Sequence, residues 1–208
     1  MSRGRFISIE GIEGAGKSTA ARALQDELAR RGLAVLLTRE PGGTPLAEAL
    51  RDLLLRTGTE RISPTAETLM MFAARSLHVE NQLRPALAAG RWVVCDRFTD
   101  ATYAYQGRAR GVAPEFIGHL AEAVHGDLWP DRTLLFDIDV PLGLERARQR
   151  KAGPDRFESE RREFFEGVRA AYLERAHRHP RRIHVIDASQ PEGAVIEATL
   201  AALADLLP

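Results

Sequence analysis

Residues 6–19 read Phe-Ile-Ser-Ile-Glu-Gly-Ile-Glu-Gly-Ala-Gly-Lys-Ser-Thr, a short apolar run followed at once by G-x-x-x-x-G-K-[ST]. No other stretch constrains the chain as tightly. Glycines let the backbone turn sharply and aim successive N–H groups inward. A helix starting at the Lys would add its positive dipole end to the same point. The loop Gly11, Ile12, Glu13, Gly14, Ala15, Gly16, Lys17, Ser18 and Thr19 is therefore predicted to join a strand to a helix and to cradle phosphate. Lys17 would place a compact ammonium between β- and γ-phosphates, and the Ser18 hydroxyl could ligate Mg²⁺.

The remaining pattern supplies the fold that such a loop needs. Short apolar runs at 6–10, 34–38, 92–96, 133–137 and 183–187 alternate with stretches of helical periodicity. Nearly continuous apolar runs suit parallel strands covered on both faces. Helices are predicted at 17–31, 45–55, from Ser63-Pro64 to about Leu87, and at 114–125, 141–150, 161–178 and 191–206. Strands alternating with helices define an α/β, doubly wound parallel sheet. The 208 residues contain no internal repeat or linker-like stretch, so a single domain is expected.

Composition excludes several classes. Lys+Arg and Asp+Glu both number 29, so no broad electrostatic footprint for nucleic acid or anionic lipid is expected. No apolar stretch approaches a membrane span, and the first residues lack a secretory pattern. Cys95 is the one cysteine and sits in an apolar run, which makes it a buried structural thiol rather than part of a metal cluster. A cytoplasmic location is the corresponding expectation. Only Lys17 and Lys151 are lysines in a chain that otherwise writes arginine.

Two kinds of nucleotide protein remain: a phosphotransferase, and a nucleotide-dependent switch or motor. A guanine-nucleotide switch reads its base with Asn-Lys-x-Asp, yet Asn81 is the only asparagine and no lysine follows it. A small kinase needs a second pocket for its acceptor, and candidates for one are present. Asp96-Arg97-Phe98 closes the third strand, where open α/β sheets place ligands. Asp96 could join the Mg²⁺ shell, and Arg97 could bridge donor and acceptor phosphates. Arg39–Thr44 forms a turn at the same edge. Phe72 and Arg75, three apart on the long helix, offer a ring and a guanidinium to a base.

The segments Gly11–Thr19, Arg39–Thr44 (REPGGT), Phe72–Arg75 (FAAR) and Asp96–Gly107 (DRFTDATYAYQG) together resemble bacterial thymidylate kinases over essentially the whole length. That resemblance implies a five-stranded parallel sheet, a homodimer, and phosphoryl transfer from ATP with Mg²⁺ to dTMP. By motif position, Glu13 would meet the deoxyribose 3′-hydroxyl, and Arg51, Arg75 and Arg97 would surround the acceptor phosphate and base edge. Phe72 would stack on thymine, with Thr102 and Gln106 near the base and Tyr105 filling the space of a 2′-hydroxyl. Phe98 departs from the tyrosine or histidine that many members carry.

The family delivers charge either from an arginine inside the phosphate loop or from a mobile lid. Ile12–Ala15 include no arginine, so this chain resembles the lid style. The lid is expected at about 146–160, an arginine-rich stretch broken by Gly153-Pro154. Arg150, with Arg148 or Arg156, would neutralise transition-state charge there. No general base is required, because a phosphomonoester with a second pKa of ~6 is already largely dianionic at neutral pH.

Overall fold

The computed structural model describes residues 3–56, 60–149, 156–157 and 160–207. Five strands form one sheet: β1 (Phe6–Gly11), β2 (Val35–Arg39), β3 (Trp92–Asp96), β4 (Arg132–Asp137) and β5 (Ile183–Asp187). Their order is β2-β3-β1-β4-β5, and every pairing is parallel. The chain leaves β1 for one side of the sheet and later crosses to the other. This reversal opens a crevice at the carboxyl ends of the central strands, the place where such sheets bind ligands.

Period-two alternation of apolar residues builds a core on each face. Ile7, Ile9 and Val94 join Leu24 and Leu28 of helix α1 (Lys17–Arg30) in one apolar layer. Phe6, Val93 and Cys95 face the opposite way, against Val79, Leu83 and Leu87. Burying each large side chain stabilises the fold by roughly 1.5–3 kcal/mol before entropy is set against it. The edge strands differ from the expectation of full cover. β2 is only half-buried, and Val185 of β5 is 49% exposed.

Helices α2 (Pro45–Leu55) and α3 (Pro64–His78) start as their sequences predict. Thr44 and Ser63 accept from the N–H groups of Ala47 and Ala66, and a proline opens each first turn. The long helix predicted to Leu87 is not uniform. It passes through a π-helical stretch, Val79–Leu83, into α4 (Arg84–Ala88). Pro85 explains the change, since its ring cannot tolerate the carbonyl four residues back, and a wider turn relieves the clash.

After β3 the chain forms α5 (Thr99–Thr102) and a second π-helical stretch, Tyr103–Ala109, neither read from sequence. Then follow α6 (Pro114–Val124), α7 (Val140–Arg148), α8 (Arg162–Arg178) and α9 (Glu192–Ala201). The last helix stops short of the predicted residue 206, and turns follow it. Among the described residues no helix is long and apolar enough to cross a membrane.

Candidate active site

The loop after β1 has the predicted shape. Gly14 lies at φ 74°, and a Cβ there would fall 1.8 Å from the Gly143 carbonyl oxygen, so the turn leaves room for glycine alone. Gly16 precedes α1 in the left-handed region, and the helix starts at Lys17. Lys17 is buried and donates from Nζ to the Ile12 carbonyl at 2.7 Å. Burial, with the positive charge of Arg97 behind it, lowers this ammonium from 10.5 to about 8. Ser18 Oγ donates to Asp96 Oδ2 at 3.3 Å, while Asp96 Oδ1 is buried with no partner among the described residues. A hydroxyl beside a carboxylate with a spare oxygen is a donor set that suits Mg²⁺.

Arg97 stands where β3 ends. It is the one non-glycine residue at positive φ (71°) among those described. Its N–H donates to Ile9 O, and the next N–H, of Phe98, donates to Glu10 Oε1 at 2.7 Å. The guanidinium then reaches Gly11 O at 3.0 Å and Glu13 Oε1 at 2.8 Å, above the ring of Tyr105. Tyr105 in turn donates its hydroxyl to Glu13. Behind this layer Tyr172 of α8 donates to Glu10 Oε2 at 2.7 Å. Burial pushes the Glu10 carboxyl up from 4.5 to about 8, and the charge of Asp100 adds to it.

A second network starts from the turn after β2. Glu40 Oε2 accepts from Arg75 Nε at 2.7 Å, and its Oε1 pairs with His78 Nδ1 at 2.9 Å. His78 Nε2 meets Thr38 Oγ1 at 2.8 Å. Burial alone would raise the Glu40 carboxyl, but the Arg75 charge and the His78 hydrogen bond outweigh it and hold the group below its usual value. Arg75 also donates to Thr102 Oγ1 at 3.1 Å, and its remaining nitrogen, NH1, is a buried donor without a partner among the described residues. Arg51 donates to the Pro41 carbonyl of the same turn.

Both sets open on one cavity of about 440 Å³. Its loop end is lined by Glu13, Gly14, Gly16, Lys17, Ser18 and Thr19, with Asp96 and Arg97 beside them. Arg51, Arg75, Thr102, Tyr105 and Gln106 line the remainder. Gly11 and Ile12 support the site through their carbonyls, and Ala15 is packed in the core.

Phe72 stands behind the cavity wall rather than in it. It packs with Ile117 and Ala121, and the Arg75 guanidinium covers its ring at 4.6 Å. Met71 lines the cavity instead.

Arg150 lies outside the described residues. Of the other basic lid candidates, Arg156 donates to Leu54 O and to Glu67 Oε2 rather than reaching the phosphate loop. Arg146, on α7, does line the cavity and donates to Ala188 O. Glu40 and Phe157 are further wall residues: the sequence placed Glu40 in the Arg39–Thr44 turn and Phe157 in the lid stretch but gave neither side chain a role.

A phosphate loop, a β2-β3-β1-β4-β5 parallel sheet and a second pocket at the same sheet edge define a nucleoside monophosphate kinase fold. The family model described as thymidylate kinase matches residues 9–198. A thymidylate kinase of Alkalilimnicola ehrlichii is 52% identical over 98% of this chain and 94% of its own length. One from Teredinibacter turnerae is 56% identical over 90% and 91%. The crystal structure of thymidylate kinase from Ehrlichia chaffeensis superposes with a TM-score of 0.77 at 32% identity, covering 96% of this chain and 98% of that one. The chain belongs to the thymidylate kinase family.

Proposed function

We propose that the chain transfers the γ-phosphoryl group of ATP to dTMP, giving ADP and dTDP, by in-line displacement in this cavity. The observation that carries the reading is that one cavity joins the phosphate loop to a pocket lined by Arg51, Arg75, Thr102, Tyr105 and Gln106. The loop backbone and Lys17 hold the donor phosphates. Arg97, fixed against Gly11 and Glu13, faces the acceptor phosphate with Arg51. Glu13 meets the sugar 3′-hydroxyl and Tyr105 crowds the 2′ position. Arg75, Thr102 and Gln106 face the base, with Phe72, beneath the Arg75 guanidinium, as the ring that would stack on thymine. Since the acceptor is already dianionic, the site's task is positioning and charge neutralisation. Ser18 and Asp96 would hold Mg²⁺, which when bound neutralises phosphate charge.

The same reading makes residues 1–208 one kinase domain, with 146–160 as lid and Arg150 as its transition-state cation. It places the enzyme in the cytoplasm, with no nucleic-acid or membrane partner. A homodimer fits as well: Leu46 and Leu53 on α2 and Leu69 on neighbouring α3 are 60%, 47% and 47% exposed, an apolar group that a second copy would cover. An ATP-coupled assay across dTMP, dUMP, UMP, CMP and AMP tests the activity. The highest kcat/KM is expected with dTMP, and a better acceptor among the others overturns the substrate assignment.

A further inference from the structure

Glu67 of α3 is fully buried yet forms no part of the cavity wall. Three donors from other elements converge on it. Its Oε1 accepts from Gln106 Nε2 at 2.7 Å and from Arg110 Nε at 2.8 Å. Its Oε2 accepts from Arg156 at 2.6 Å. Each arginine is tied a second time, Arg110 to Glu160 and Arg156 to the Leu54 carbonyl.

Each Glu67 oxygen thus accepts from a guanidinium, so both present acceptors to their neighbours. Gln106 must therefore turn its NH₂ toward Glu67, because the flipped amide would set two acceptor oxygens 2.7 Å apart. The carbonyl end of the amide, Oε1, is left for a ligand in the cavity that Gln106 lines. On the same cavity Arg75 presents its unpartnered NH1 donor. A donor and an acceptor together complement a ring edge that carries a carbonyl next to an N–H. That is the imide edge of thymine. Cytosine offers the reverse, an amino group next to an acceptor nitrogen.

The geometry points to Glu67 as a positioning residue for specificity: it never touches the nucleotide, but it fixes the hydrogen-bond polarity of Gln106 and so favours an imide base over an aminopyrimidine. This rests on the reading that the cavity takes dTMP. Glu67→Gln is the informative change, since an amide at 67 can donate or accept and frees Gln106 to turn over. Steady-state kcat and KM are measured for dTMP and dCMP in the wild-type enzyme and in Glu67→Gln, Arg110→Lys and Gln106→Leu.

The wild-type ratio of kcat/KM, dTMP over dCMP, is expected to narrow at least about tenfold in Glu67→Gln, carried mainly by KM. Arg110→Lys disturbs the same ion pair without altering polarity, so its ratio stays near the wild-type value even if its thermal stability falls. A folded Glu67→Gln enzyme with a ratio within about twofold of wild type overturns the inference. Should that variant not fold, Gln106→Leu decides: a narrowed ratio supports the role of the amide, and an unchanged ratio overturns it. A wild-type enzyme with no preference for dTMP defeats the functional reading itself, before any variant is compared.

Discussion

At position 97 the backbone is held at φ 71°, a conformation that costs a residue with a Cβ about 1 kcal/mol or more. The hydrogen bonds to Ile9 and Glu10 stabilise it, and the result is a guanidinium fork aimed between Gly11 and Glu13. A lysine would keep the charge but lose the fork. Arg97→Lys is expected to lower kcat by about 10²-fold, with the melting temperature little changed, in the coupled assay with ATP and dTMP. The side-chain types at this site were legible in the motifs Gly11–Thr19 and Asp96–Gly107, because their chemistry is local. Glu10 and Tyr172, which brace Arg97, were not, since 162 positions separate them.

Between elements, buried ion pairs join what the sheet alone leaves apart. Asp100 of α5 is fully buried and accepts from Arg175 of α8 at 2.6 Å and from Arg182, just before β5, also at 2.6 Å. Burial opposes its charge, yet the Arg182 hydrogen bonds and the Arg175 charge prevail and hold the carboxyl near 2. Replacing it by Asn leaves two partly buried guanidiniums without a counter-charge. Asp100→Asn is expected to cost about 3–5 kcal/mol in urea denaturation at pH 7. This stabilisation is present above the ordinary carboxylate pKa of 3.8 and is lost as pH falls through about 2. The strands themselves were read from sequence to within a residue or so, because parallel strands write themselves as apolar runs. The π-helical stretches were invisible, since their cause is a packing or proline conflict and not a pattern of polarity.

For the whole molecule, equal numbers of acids and bases conceal groups that titrate far from their usual range. Glu10, raised to about 8, binds a proton in the folded state that the unfolded chain has released above 4.5. Its contribution to stability is therefore full below 4.5 and is lost as pH rises to 8. His125 acts oppositely: burial pushes it down from 6.5 to about 4, so the fold loses stability as pH drops through that window. His179 and His184, also held below 6.5 by burial, act with His125 against the Glu10 slope below 6.5, and above 6.5 Glu10 dominates. Stability measured by urea titration is expected to decline from 6.5 to 8. Glu10→Gln, which mimics the protonated carboxyl, should remove the decline; if the decline persists, Glu10 is not its source. The fold class and the place of the site followed from one loop and five apolar runs. This pH behaviour did not, because burial at one position depends on packing from the whole chain.

The depressed Lys17 ammonium has a consequence for the thermodynamics of nucleotide capture. Among the described residues, the other cations lining the cavity are arginines, whose charge does not change across the working pH range. Of these described cations only Lys17 can exchange a proton when an anion arrives, and bound phosphates would lift its pKa well above 8. Capture of ATP is thus coupled to proton uptake: close to none at pH 7 and nearly one proton at pH 9. Calorimetric titration in two buffers of different ionisation enthalpy would read this as a buffer-dependent heat at pH 9 that vanishes at pH 7. The same coupling makes the scarce lysine, in a chain otherwise written with arginine, the point at which alkaline conditions weaken the enzyme's hold on its donor.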